Sequence, residues 1–227
     1  MPLQVRFDEP TMRTYVSTLG FHETRVTRPV LRHDLNEGDV VVLLRPATEA
    51  DEGRGSDAVA HVEDMVDEIA PGASVEIERV DHSEFETAVL ECSDVLRAAE
   101  GKLIVNFGGG AREIFLPLTL STVAHAQLVD MALQYTDIGQ QVRKWRVPNL
   151  TADVSERVWP TLATIADHDE EISISDITAR SEASKSTVTR HVQELAEAGL
   201  VDTQTAGKTK FARATTAGHL LLRQREV

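Results

Sequence analysis

Ile174-Ser-Asp-Ile-Thr-Ala-Arg-Ser-Glu-Ala-Ser184, followed by Lys185-Ser-Thr-Val-Thr-Arg-His-Val-Gln-Glu-Leu-Ala-Glu-Ala-Gly199-Leu-Val201, is the stretch on which the organisation of this chain turns. It predicts two short helices. The first runs over Ile174–Ala179, with Ser175 as its expected cap, and the second is opened by Ser184, a residue type suited to the N-cap. Ser181-Glu-Ala-Ser184 is the turn between them. Val188, Val192 and Leu195 recur at core spacing, which turns Lys185, Ser186, Thr189, Arg190 and Gln193 outward. Gly199 ends the helix in a left-handed conformation that glycine reaches at least cost. Upstream, a helix is predicted over about Glu156–Asp167, with Pro160 tolerated in its first turn. Downstream, Leu200–Thr205 and Lys208–Thr215 form a hairpin about Ala206-Gly207, with Lys208 and Lys210 near its tip. Three helices and a basic hairpin in this order make a winged helix-turn-helix.

Such a module points to a duplex as partner. A helix N-terminus rich in short hydroxyls can approach phosphates and bases, and its dipole favours the anion. The candidate DNA contacts are Ser184, Lys185, Ser186, Thr187, Thr189 and Arg190, with Lys208 and Lys210 on the wing. Arg190 is the best placed for a bidentate base contact. The alternative use of the module is protein contact alone. A net charge of −14 over 227 residues argues against nucleic acid only until its distribution is read. Residues 151–227 hold 12 acids and 9 bases, which leaves −11 on residues 1–150. Three of the five lysines follow Ser184, where bases outnumber acids. Positive charge therefore lies where phosphates would be met. The many acids against few lysines point to adaptation to high salt, where phosphate attraction is screened and base and shape contacts must carry more.

No apolar run reaches the roughly 18 residues of a membrane helix. The start, Met1-Pro-Leu-Gln-Val-Arg-Phe-Asp, lacks a secretion pattern, so a cytoplasmic protein is expected. Cys92 is the single cysteine. It falls in register with Phe85, Val89 and Leu96 and reads as a buried structural thiol. The eight histidines show no ligand spacing, so no metal site is indicated. No Ser-His-Asp order or nucleophile elbow is present, and no catalytic residue is assigned. Trp145 and Trp159 flank the expected linker and read as packing anchors.

Residues 1–13 read as an N-terminal arm. Strands and helices then alternate: strand Tyr15–Leu19, a helix ending near Arg32–Leu35, strand Val40–Leu44, a loop over Arg45–Gly55, helix Asp57–Ile69, strand Val75–Val80, helix Phe85–Ala99, strand Leu103–Phe107, and a helix from about Arg112 to Ala126. Strands Leu128–Tyr135 and Gln141–Val147 follow, joined near Asp137–Gly139. This alternation predicts an α/β domain over 14–147, with a Rossmann-like parallel sheet, helices on both faces and right-handed crossovers. Residues 148–155 read as a linker and 156–227 as the winged helix-turn-helix.

Ligands of such sheets lie beyond the carboxyl ends of the strands. Two segments fall there: Ser17-Thr-Leu-Gly-Phe21 and Val105-Asn-Phe-Gly-Gly-Gly-Ala-Arg112-Glu113. Three glycines let a ligand approach the backbone and leave amides free for an anion. Arg112 adds a fork of donors, and Thr18 and Asn106 suit ribose or base edges. Neither a P-loop nor the Gly-x-Gly-x-x-Gly fingerprint is matched.

Thr18-Leu-Gly-Phe after the first strand, Leu43-Leu-Arg-Pro46 after the second and Asn106-Phe-Gly-Gly-Gly-Ala-Arg112 after the fourth, all ahead of a winged helix, resemble the CARF (CRISPR-associated Rossmann-fold) regulators. The C-terminal module resembles archaeal and bacterial winged-helix regulators, which bind as dimers. The CARF resemblance covers most of residues 14–225. It implies a transcriptional regulator of CRISPR-associated genes and a homodimer paired around a dyad. It also implies a cyclic oligoadenylate ligand, most often the tetra-adenylate, and no cofactor. Carried over are Thr18, Gly20 and Phe21 of the first motif, and Asn106, Gly108, Gly109, Gly110 and Arg112 of the second. Where the family often has Thr or Ser beside the glycines, this chain has Phe107 and three glycines.

Two other functions fit these residues. One is a ring nuclease that places a 2′-hydroxyl in line with its phosphate, with Arg112 and Thr18 contributing. The other is a nucleotide- or redox-sensing repressor unrelated to CRISPR, weakened by the lack of an acid at the dinucleotide position. Arg28-Pro-Val-Leu-Arg-His33 has the Arg-x₄-His spacing of HEPN ribonucleases. Those sites lie in all-helical dimers, so the match is discounted. Arg25, Arg28 and Arg32 read as solvated or as rimming the ligand mouth, and His33 and His61 are placed near the cleft or in solvent.

Overall fold

The computed structural model describes residues 12–49, 51–136 and 138–225. The expected arm therefore lies mostly outside the described residues, as does Asp137 of the expected turn. The chain divides into two compact units, Met1–Val147 and Pro148–Val227.

The first unit is built on six strands: β1 (Arg13–Thr18), β2 (Val40–Pro46), β3 (Ser74–Val80), β4 (Lys102–Phe107), β5 (Val129–Tyr135) and β6 (Val142–Trp145). Their order in the sheet is β3-β2-β1-β4-β5-β6. The first five are parallel, while β6 runs antiparallel to β5. The connection explains that departure from a wholly parallel sheet. The Thr136 amide donates to the Gln141 carbonyl at 2.9 Å, closing a turn far shorter than the dozen residues a parallel crossover needs.

Four helices cover the sheet: α1 (Thr24–Leu31), α2 (Glu52–Ile69), α3 (Phe85–Ala98) and α4 (Arg112–Ala124). Successive strand residues serve opposite faces. Tyr15, Val41, Leu43, Ile104 and Leu133 pack with Val26, Val30, Val59 and Val62 of α1 and α2. Val16, Val42, Leu44, Val105 and Ala132 pack with Ala88, Cys92, Leu96, Ile114 and Leu118 of α3 and α4. A strand covered on both sides must be apolar at every position, hence the unbroken runs in β2 and β4. Cys92 is fully buried, and burial pushes its thiol up to about 12. The helical periodicity therefore placed it where an inert thiol belongs.

The expected loop over Arg45–Gly55 is shorter in the structure. Arg45 and Pro46 complete β2, and α2 begins at Glu52, capped by Asp51, whose carboxylate accepts the Arg54 amide at 3.1 Å. Gly53 and Gly55 hid this helix start from pattern reading. Gly55 has a packing reason, since a Cβ there would overlap the Arg45 guanidinium.

The second unit contains α5 (Trp159–Ala166), β7 (Ile172–Ser173), α6 (Ile174–Ala179), α7 (Lys185–Glu197), β8 (Val201–Ala206), β9 (Thr209–Ala214) and α8 (Thr216–Arg225). A 3-10 turn, Glu156–Val158, leads into α5. The three strands pair in the order β7-β9-β8. One core unites Leu162, Ile165, Ile177, Val188, Val192, Leu195, Leu200 and Leu221. Ala152 and Val154, from the expected linker, pack against it. The cap of α6 is Ser173 rather than Ser175: the Ser173 hydroxyl accepts the Asp176 amide at 3.1 Å. β7 begins at Ile172, so the last strand residue takes the capping role. Neither β7 nor α8 was read from the sequence, because two strand residues and one short helix leave little periodic signal.

Candidate functional site: a switch-point cleft and a DNA-reading helix

β1 and β4 are neighbours at the centre of the sheet, yet α1 and α4, which follow them, cover opposite faces. A crevice opens where the winding reverses in this way. It is a cleft of about 550 Å³, lined on one side by Thr18, Gly20, Phe21 and Arg25 and on the other by Gly108, Gly109, Gly110 and Glu113. Thr48 and Glu49 after β2 and His82 after β3 complete the wall.

The two glycine segments meet directly. A Cβ on Gly20 would lie 2.8 Å from the Gly110 Cα, backbone against backbone, so only glycine permits the contact. Gly109 and Gly110 have φ of 131° and 104°, which L side chains rarely adopt. The Arg25 guanidinium lies against Gly109, where a Cβ would come within 2.8 Å of it. Thr18 is 1% exposed, and its hydroxyl has no hydrogen-bond partner in the structure. A buried, unpaired hydroxyl at a cleft is costly unless something fills the cleft.

Of the expected ligand residues, Thr18, Gly20, Phe21, Gly108, Gly109 and Gly110 are brought together. Asn106 is fully buried beneath the glycine loop, donating to the Ser17 hydroxyl at 2.8 Å and the Arg25 carbonyl at 3.0 Å. It thereby ties β4, β1 and α1 together under the cleft. Arg112 is exposed at the start of α4. Neither is among the residues lining the cleft. Pattern reading missed Thr48, Glu49, His22 and His82, and quoted Glu113 in the glycine segment without giving it a role. His33 lies at the other end of α1, where its carbonyl accepts from Arg13 at the start of β1. His22 and His82 occupy the cleft positions expected of His33 and His61. Arg28 donates to the Tyr135 hydroxyl at 3.0 Å and covers its ring, a structural role for the first residue of the Arg-x₄-His match.

Below the loop after β2 lies a charged cluster. Arg45 and Glu49 form an ion pair with side chains 2% and 7% exposed, and Arg79 reaches the other Glu49 oxygen at 3.1 Å. This cluster holds Thr48 and Glu49 in the cleft wall.

In the second unit, Ser184 caps α7, accepting the Thr187 amide at 3.3 Å. Lys185, Ser186, Thr189, Arg190 and Gln193 are exposed along one side, and Thr187 is half-buried. Val188, His191, Val192 and Leu195 are buried. α7 ends with paired bonds from the Gly199 amide to the Ala196 carbonyl and from the Leu200 amide to the Leu195 carbonyl, a glycine-closed cap of the Schellman type. Lys208 is exposed at the turn between β8 and β9, and Lys210 lies on β9 opposite Thr205.

His191, on the inner side of this helix, has Nδ1 2.9 Å from the Thr161 hydroxyl. Burial, then Arg190, pushes its pKa below the ordinary 6.5. The folded state therefore disfavours protonation relative to the unfolded chain. This contribution to stability is whole above about 6.5 and is lost as pH falls below it. The melting temperature of the C-terminal unit is expected to drop as pH falls below about 6.5, and His191→Gln should flatten that slope. An unchanged slope in the variant would assign the effect to other groups.

A Rossmann-like sheet with a switch-point cleft, carried on one chain with a helix-turn-helix and basic wing, is the arrangement of a DNA-binding regulator. The chain belongs to the Csa3 family: the Csa3 CRISPR-associated Rossmann-like domain matches residues 13–143, and the MarR family matches residues 152–210. It is a CRISPR-associated transcriptional regulator whose winged helix binds DNA. Curated proteins give no match. Among solved structures, AF1382 from Archaeoglobus fulgidus is 22% identical, covering 34% of this chain and 88% of its own, with a TM-score of 0.30. Reduced HlyU from Vibrio cholerae N16961 is 28% identical, covering 33% and 78%, with a TM-score of 0.29. Enterococcus italicus Csm6 bound to cyclic hexa-2'-fluoro-hexa-dAMP is 10% identical, covering 96% of this chain and 54% of its own, with a TM-score of 0.48. Among the described residues, no helix is long and apolar enough to cross a membrane and no cluster of three or more His, Cys, Asp or Glu could hold a metal.

Proposed function

We propose that this regulator is a homodimer whose paired clefts bind a cyclic oligoadenylate and thereby alter how its winged helices engage DNA. The observation that carries the reading is the meeting of the two glycine loops at a cleft with an orphaned Thr18 hydroxyl. The backbone of the glycine loop and the neighbouring Arg25 guanidinium suit a phosphodiester. A cleft of about 550 Å³ is in the range for a small ligand, so a four-nucleotide ring is shared by two clefts facing each other across a dyad, whose symmetry an even-membered ring matches. Leu116 and Leu120 of α4 are 53% and 49% exposed and in helical phase with Glu113 of the cleft. That apolar stripe, continuous with the site, offers a face for the second copy. Ligand control requires different affinities for two dimer arrangements, because a ligand that binds both equally shifts nothing.

The test is calorimetric titration of the purified protein with cyclic tetra-adenylate, with sedimentation to read the dimer. Binding at one ring per dimer is expected, with the ring recovered intact. Thr18→Val removes the orphaned hydroxyl. It is expected to leave the free protein at least as stable and to weaken ring binding by about 0.5–1.5 kcal/mol, one hydrogen bond. A monomer, or a dimer indifferent to the ring, would reject the proposal.

A further inference from the structure

The rim of the cleft carries a stacked pair that the glycine loops do not account for. Phe21, in the loop after β1, lines the cleft and is 41% exposed. The guanidinium of Arg54, on the first turn of α2, lies 4.6 Å from the centre of its ring. The backbone of Arg54 is fixed by the Asp51 cap. Among the described residues no carboxylate pairs with Arg54; the ring is the guanidinium's partner. The cleft thus has two chemically different ends. Amides and Arg25 lie at the glycine loop, and a flat aromatic surface backed by a flat cation lies at the Phe21 lip. A molecule that satisfies both carries an anion and, a short link away, a planar ring.

We propose that Phe21 and Arg54 form the base-reading subsite of this cleft and select purine over pyrimidine. The base stacks on the phenyl surface, and the guanidinium on that ring holds it in place and supplies a second planar donor group. A purine overlaps such a surface over a larger area than a pyrimidine does, and stacking of this kind responds to ring size rather than to a hydrogen-bond code. Guanidinium geometry matters because a lysine ammonium is a compact charge without a face to stack. The proposal rests on the ligand reading above and extends it to Arg54, a residue that neither glycine segment contains.

The experiment titrates full-length protein with cyclic tetra-adenylate and with cyclic tetra-uridylate at several salt concentrations. Wild type is expected to prefer the adenylate. Arg54→Ala and Phe21→Leu should each weaken adenylate binding by about 2- to 30-fold, leaving uridylate binding and its salt slope nearly unchanged. Arg54→Lys should fail to restore the preference, whereas Phe21→Trp should keep it. Arg54 is an exposed side chain, so its removal spares the fold. Equal losses on both rings would make Arg54 a general charge and overturn the assignment, as would unaltered adenylate binding in Arg54→Ala. A wild type that binds neither ring defeats the ligand reading and this assignment with it. A wild type that binds both rings equally defeats this assignment alone.

Discussion

Glu49→Ala is expected to destabilise the N-terminal unit by about 3–5 kcal/mol. Arg45 is 2% exposed, and Glu49 is the carboxylate that neutralises it. Removing Glu49 leaves a guanidinium out of water with its charge uncompensated, and that desolvation penalty is what the variant measures. The Arg45 Nε already lacks a partner, so the group has no spare hydrogen bonds to fall back on. Two controls separate charge from packing. Arg79→Ala removes a pair whose arginine is 46% exposed, and it should cost no more than about 1 kcal/mol. Arg45→Met combined with Glu49→Ala should recover much of the loss, because a buried pair replaced by apolar atoms removes both charges together. Urea unfolding in a Trp159→Phe background, where Trp145 reports the first unit, reads these differences. A cost of Glu49→Ala below about 1 kcal/mol would mean that water reaches Arg45. The same variant should weaken ring binding, because Glu49 and Thr48 form part of the cleft wall.

Arg190→Ala should weaken binding to a specific operator by about 1–3 kcal/mol, roughly 5- to 150-fold, with little effect on random duplex. Arg190 is exposed on the same side of α7 as Lys185, Ser186 and Thr189 and is not needed for the core, which Val188, Val192 and Leu195 build. Lys208→Ala and Lys210→Ala should behave differently. As phosphate contacts, the wing lysines are expected each to contribute to all sequences alike, so either substitution should weaken all sequences alike and reduce the salt slope by about one. Fluorescence anisotropy on operator and random duplexes across a salt series distinguishes the two classes. Equal loss on both duplexes for Arg190→Ala would reassign it to the backbone. For a dimeric reader, half-sites about 34 Å apart, one helical turn, are expected.

Cap, turn and core residues of α7 carried their structural roles openly. Ser184, Val188, Leu195 and Gly199 each do locally what their chemistry favours, and the helix between them follows. β2 and β4 were legible for the same reason, since apolar runs bounded by glycine and proline belong to strands covered on both faces. Cap selection at α6 was not legible. Ser173 and Ser175 have the same chemistry, and which one caps depends on where β7 hands over to the helix. In the cleft, glycines advertised themselves through type and spacing. His82 and Glu49 did not, because each follows a different strand and meets Gly108–Gly110 only after the sheet has wound.

Local chemistry, read along the chain, was enough to determine the kind and order of all the elements but β7 and α8, the two-part organisation and the glycine loops at strand ends. Tertiary structure alone decided the β3-β2-β1-β4-β5-β6 order, the reversal of β6, the burial of Asn106 and Arg45, and the rim pairing of Phe21 with Arg54. Propensity, capping and periodicity act between residues a few positions apart. Strand neighbours, burial and the lining of a cleft join residues dozens of positions apart, such as Ser17 with Asn106, and are settled by which surfaces can exclude water together.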